Sequence, residues 1–139
     1  MAPLISELDE VLIETVHFSL IKEGDIVLFF DKDLNELILH RLIFYPFFTK
    51  GDCSLFFDNS KNYEYIGLAK YVCKKNKIFN LSNSKNINKL IVYFSKKRLH
   101  SNYFNFMAKV IIYLIANFFL LNNDESILNH KESLLLNDP

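Results

Sequence analysis

Gly24-Asp25-Ile26-Val27-Leu28-Phe29-Phe30, then Asp31-Lys32-Asp33-Leu34-Asn35, then Glu36-Leu37-Ile38-Leu39-His40-Arg41-Leu42-Ile43-Phe44-Tyr45 is the stretch that decides the fold. Two apolar runs of strand length flank a polar turn, and Gly24-Asp25 punctuates the entry to the first. The second run stops before Pro46, which cannot donate to a sheet ladder. Alternation places Ile38, His40 and Leu42 on one face and Leu39, Arg41 and Ile43 on the other. A histidine and an arginine in adjacent positions of one strand therefore serve different surroundings.

Working outward, the first eighty residues read as β-rich. Val11-Leu12-Ile13-Glu14-Thr15-Val16 is a short strand. Phe47-Phe48-Thr49 leads into a turn at Lys50-Gly51-Asp52, and Asp58 to Asn62 forms a loop. Tyr65 to Cys73 and Lys77 to Leu81 read as a hairpin around Lys74-Lys75-Asn76. Strands this short and close predict a mainly β fold, a small antiparallel sheet or partly open barrel. Residues 1–82 form the β domain on this reading. Residues 83–121 are a linker followed by an apolar helix from Tyr103 to Leu121, and 122–139 a polar tail.

The chain has 139 residues, enough for one domain with a core. Sixteen Lys+Arg balance sixteen Asp+Glu, which argues against nucleic acid as a partner, since phosphate binding calls for a basic excess. Cys53 and Cys73 form no Cys-x-x-Cys pair and read as two thiols, with a disulfide as the alternative. His17, His40, His100 and His130 are scattered without metal-ligand spacing, so neither a metal nor another cofactor is expected. No basic start followed by an apolar core marks a signal peptide.

The residues with chemical potential cluster around His40. A His on a strand, followed by the acidic turn Thr49-Lys50-Gly51-Asp52 and a second acid at Asp58, can form a base with supporting carboxylates. The same pattern suits a half-buried histidine that merely satisfies its hydrogen bonds. Lys50 reads as a turn residue.

The order Gly24-Asp25-Ile26-Val27, His40-Arg41, Thr49-Lys50-Gly51-Asp52, Asp58 and Ile66-Gly67 resembles the signal peptidase/LexA clan of serine peptidases. The likeness is to the archaeal and endoplasmic-reticulum branch with a histidine base, and to small stand-alone members. It covers roughly residues 1–82. It implies His40 as general base, with Asp52 and Asp58 as supporting acids. Cys53-Ser54 follows Gly51-Asp52 where the family loop reads Gly-Asp-Asn. The family's Ser-Met-x-Pro box aligns with Met1-Ala2-Pro3, and its Asp with Asp9, although Leu8 replaces the expected Gly. Gly24-Asp25 then fits the second Gly-Asp pair, whereas the rival register puts Val16 at the serine and Ser19 at the proline.

Both registers leave the site without a serine nucleophile, and the better one puts that serine immediately before Met1. The expectation is an N-terminally shortened domain, silent in serine chemistry as written, with Ser6 and Ser19 standing near the box but outside its motif. The implied partner is an extended peptide, such as a leader or signal segment, added along a sheet edge and cut or merely held. The alternative is a non-catalytic peptide-binding or accessory membrane-associated module.

Tyr103 to Leu121 approaches the ~20 apolar residues that span a bilayer. Two readings stand: a spanning helix, or a helix that packs on the domain or on a membrane surface. Lys109 within it favours the second. Lys96, Lys97, Arg98 and His100 precede the stretch, and Asp124 and Glu125 follow it. If it spans, the basic flank places the β domain on the cytoplasmic side. The expected location is thus membrane-associated or cytoplasmic.

Overall fold

A computed structural model describes residues 5, 6, 8–46, 48–52, 54, 57, 58, 62–74, 77–81, 85–97, 110, 111, 113 and 114. Six strands and one helix follow in order: β1 (Glu10–Glu14), β2 (Ile26–Asp31), β3 (Glu36–Phe44), β4 (Phe48–Lys50), β5 (Tyr63–Lys74), β6 (Lys77–Asn80) and α1 (Lys85–Lys97). A single 3-10 turn, Phe18–Leu20, lies between β1 and β2. The protein is mainly β, as its alternating apolar runs predict.

All pairings are antiparallel, and the sheet runs β1-β5-β2-β3-β4 with β6 also on β5. It is an open sheet: among the described residues nothing joins β4 back to β1, so the barrel half of the expectation gives way to a sheet. β5, at 12 residues, is the spine. Leu68 pairs with Glu14 of β1 and with Val27 of β2, so these strands lie on opposite edges of β5. Tyr71 to Cys73 pair with both β1 and β6, which places β6 beyond the end of β2.

The β2–β3 hairpin explains the central register. Ile26 pairs with Arg41, Val27 with His40 and Asp31 with Glu36. The buried carboxylate of Asp31 accepts from Asp33 N and Leu34 N at 2.9 and 3.2 Å. The turn is thereby closed by its own side chain. Asn35 completes it at φ 55°, a left-handed conformation that Asn tolerates better than most residues.

Two apolar clusters cover the two faces. One gathers Ile26, Ala69, Val72, Phe79, Leu81 and Ile91, with Leu39 and Phe94 against it. The other holds Ile21, Val27, Phe29 and Leu42, with Phe18, Tyr63 and Tyr65 packed around them. Ile26 and Val27 are neighbours on β2 but belong to different clusters, as strand alternation demands.

The helix α1 arises where the sequence suggests only a linker. Asn88, Ile91, Val92 and Ser95 form a stripe of buried or half-buried positions spaced three and four apart, with Phe94 and Lys96 half-buried beside it. Two polar residues in that stripe hide the helical period from a purely apolar reading. β4 likewise forms as a three-residue strand where a lead-in to a turn was expected. Of the apolar stretch from Tyr103 to Leu121, only Val110, Ile111, Tyr113 and Leu114 are described, all helical. No helix among the described residues is long and apolar enough to cross a membrane.

Candidate functional site

β3 presents His40 and Arg41 to opposite faces, and each finds an acid from the segment after β4. His40 shares its face with Val27, its direct partner across the ladder, and Arg41 shares the other with Ile26 and Lys50. Both acids follow β4 in the chain.

The His40 imidazole is held at Nδ1, which lies 2.6 Å from Asp58 Oδ2. Thr49 Oγ1 donates to the same carboxylate oxygen at 2.5 Å, and Asp58 N donates back to Thr49 O at 3.0 Å. Thr49 is fully buried, so Asp58 is tied through side chain and backbone to the interior end of β4. An ionised carboxylate only accepts, so Nδ1 carries the proton in this arrangement. The neutral ring then bears its lone pair at Nε2. His40 and Asp58 keep 26% and 13% side-chain exposure, so the ring remains reachable.

Gly51 forms the floor below Nε2. A Cβ on Gly51 would sit 3.2 Å from His40 Nε2 and 3.6 Å from Ser54 Cβ. Ser54 N donates to Gly51 O at 2.9 Å and closes the turn. A glycine here leaves the imidazole room that any side chain would take.

Asp52 is gripped by Arg41. Its carboxylate is buried against Arg41 on the other face, with Nε on Oδ1 at 2.8 Å and Nη2 on Oδ2 at 2.9 Å. Arg41 Nη1 also donates to Gly24 O at 2.7 Å and to Asn88 Oδ1 at 2.8 Å. The fork is thus satisfied at each nitrogen, which a buried guanidinium requires. Strand alternation held the signal: Asp52 belongs to Arg41's side of β3, Asp58 to His40's. The expectation named Asp52 a supporting acid; its carboxylate is bound by Arg41, on the face of β3 opposite His40.

The remaining named residues take other positions. Gly24 adopts φ 97°, and a Cβ there would stand 3.2 Å from Asn88 Cβ, so it serves both a turn and the approach of α1. Asp25 is half-buried, its Oδ2 accepting from Lys22 N at 2.8 Å. Burial pushes its carboxyl above the usual range, against the opposing pull of the Lys22 amide, the Lys22 charge and the Arg41 charge. Asp9 accepts from Ser6 N and Ser6 Oγ and meets Lys74 Nζ at 3.2 Å. Ser19 Oγ bonds His17 Nδ1 at 2.8 Å. Ser6 and Ser19 are therefore engaged with other partners than His40. Lys50 is buried, with its ammonium 5.6 Å from the Phe57 ring. Cys73 is a free thiol. Met1, Pro3, Cys53, His100 and His130 lie outside the described residues.

Comparison with known proteins finds nothing that matches. No family model fits the chain, and no curated protein and no solved structure is significantly similar to it. The site must be read from its own chemistry. Sequence reasoning missed two contributors: Thr49 as a donor to Asp58, and Asn88 as a partner of Arg41. Thr49 was visible only as part of a turn, and Asn88 lay in an apparent linker. Among the described residues no cluster of His, Cys, Asp or Glu is arranged to hold a metal ion.

Proposed function

We propose that this chain is a serine-endopeptidase-like domain of the signal peptidase/LexA type, which takes an extended peptide at a site centred on His40. The observation that carries the reading is the bond from His40 Nδ1 to Asp58 Oδ2, reinforced by Thr49. An imidazole oriented by a carboxylate at one nitrogen and open at the other is suited to general-base work.

In the proposed reaction His40 Nε2 accepts the proton of a serine hydroxyl as that oxygen attacks the peptide carbonyl. Asp58 stabilises the imidazolium, which then returns the proton to the leaving amine as the C–N bond breaks. The resemblance expects the hydroxyl from a serine directly ahead of the Met1-Ala2-Pro3 segment. The substrate adds to an open sheet edge, where unpaired backbone groups bind an extended chain.

A second reading is a peptide-binding module that does not cut. The bonding of Ser6 Oγ to Asp9 and of Ser19 Oγ to His17 favours it, because these two hydroxyls are directed elsewhere. One experiment separates the readings. Fluorescent leader-like peptides are titrated against the protein extended upstream by one serine, and against the same protein carrying His40→Ala. Cleavage that falls by about 10²–10⁴-fold in His40→Ala supports the peptidase. Equal binding by both without cleavage supports the module. Absence of both binding and cleavage sinks the proposal.

A further inference from the structure

We infer that Asn88 of α1 is a positioning residue for His40, acting through the sheet from the opposite face. The inference rests on the reading of His40 and Asp58 as the site. Asn88 Oδ1 accepts from Arg41 Nη1, and Arg41 in turn grips both carboxylate oxygens of Asp52. Asp52 follows Gly51, whose missing side chain leaves the space below Nε2. Asp58, six residues after Asp52 in the chain, holds Nδ1. The segment that supplies both floor and acid to the imidazole is therefore pinned at its start by Arg41–Asp52.

Arg41 directly follows His40 on β3, so the guanidinium anchors the strand and the turn at once. Its orientation is set by acceptors that lie outside both: Gly24 O and Asn88 Oδ1. Asn88 is itself fixed by donating to Leu81 O at 3.3 Å, beyond the end of β6, and by its close approach to Gly24. Without the Asn88 acceptor one corner of the fork is unsatisfied in a buried setting, and the guanidinium has reason to turn. The Asp52 turn, and with it the carboxylate on His40, then loosens.

The test is the imidazole tautomer, read by long-range 1H–15N correlation at a pH where the ring is neutral. The His40 signals are assigned from their loss in His40→Ala. Wild type should hold His40 with the proton on Nδ1; if it does not, the His40–Asp58 site itself fails, whatever Asn88 does. In folded Asn88→Ala the Nδ1-protonated share should fall, and the site's peptide binding should weaken. Asn88→Asp keeps an acceptor for Arg41 and should retain the wild-type tautomer. Lys89→Ala, at an exposed neighbouring position, should change nothing. A wild-type tautomer in folded Asn88→Ala overturns the inference. Should that variant not fold, the near-isosteric Asn88→Leu, which offers Arg41 no acceptor, decides: a wild-type tautomer there overturns the inference as well.

Discussion

At the scale of single residues the site depends on what Gly51 lacks. A methyl group at this position meets His40 Nε2 at 3.2 Å, closer than ordinary packing, and Ser54 Cβ at 3.6 Å. The ring is tethered at Nδ1 and cannot retreat without releasing Asp58. Gly51→Ala is thus expected to displace the imidazole and abolish most peptide turnover or binding. The stability loss should stay near 1 kcal/mol, because the site is partly open and the ring can shift outward. Chemical denaturation together with a peptide assay checks the split; a variant with full function would show that the imidazole has slack. The pairing of His40 with Asp58 is legible in sequence order, since a His on a strand and an acid past the next turn are local signals. That Asp52 belongs to Arg41 instead is legible only if the alternation of β3 is carried across to the neighbouring turn. Thr49 left no such trace: its hydroxyl matters because β4 buries it beside Asp58, which is a tertiary fact.

At the scale of elements, β5 joins the other strands at a point where no side chain fits. A Cβ at Gly67 would stand 2.5 Å from Ile13 Cγ2 and 2.8 Å from Glu14 O. The second contact is to backbone, which cannot swing aside. The ladder is already irregular here, with a shift between Leu28 and Phe29 opposite Gly67 and Tyr65. Gly67→Ala should cost about 3 kcal/mol by forcing β1 from β5, measured by urea denaturation; a loss below 1 kcal/mol would mean that β1 yields easily. α1 offers the opposite case. Ser95 is buried and its hydroxyl has no hydrogen-bond partner among the described residues. Ser95→Ala removes that unpaired group and installs a better helix former, so a gain of about 1 kcal/mol is expected in the same measurement. The strands were readable because apolar runs bounded by turns persist over several residues. α1 was not, because its buried stripe includes Asn88 and Ser95, and polar residues interrupt the periodicity that marks a helix.

At the scale of the whole molecule, stability should carry the signature of Asp25. Its carboxyl is raised above the ordinary range chiefly by burial. The folded state therefore binds this proton more tightly than the unfolded state does. Ionisation of Asp25 opposes folding at neutral pH, and the penalty is relieved as pH falls through the folded value. Asp25→Asn keeps an acceptor for Lys22 N while removing the charge. It should be more stable than wild type near pH 7, and the difference should shrink toward zero below about pH 4, where both carry a neutral group. Melting curves of the pair across pH 3–8 cancel the other carboxylates. A difference that stays flat with pH would contradict the burial argument. The sheet order, by contrast, was beyond sequence reasoning, since the placement of β5 between β1 and β2 depends on pairings far apart along the chain.

The back-to-back placement of His40 and Arg41 bears on which length changes the chain can survive. Inserting one residue between Leu37 and Leu39 has two outcomes. It is expelled as a bulge, or it reverses every side chain before it relative to β2. Deleting one residue between His40 and Thr49 would deliver Asp52 and Asp58 to the wrong sides of the sheet unless the turn absorbs it. Substitutions along β3 can be compensated singly, but a frame of odd length cannot. A library of single-codon insertions and deletions should therefore show few functional members from Glu36 to Asp58.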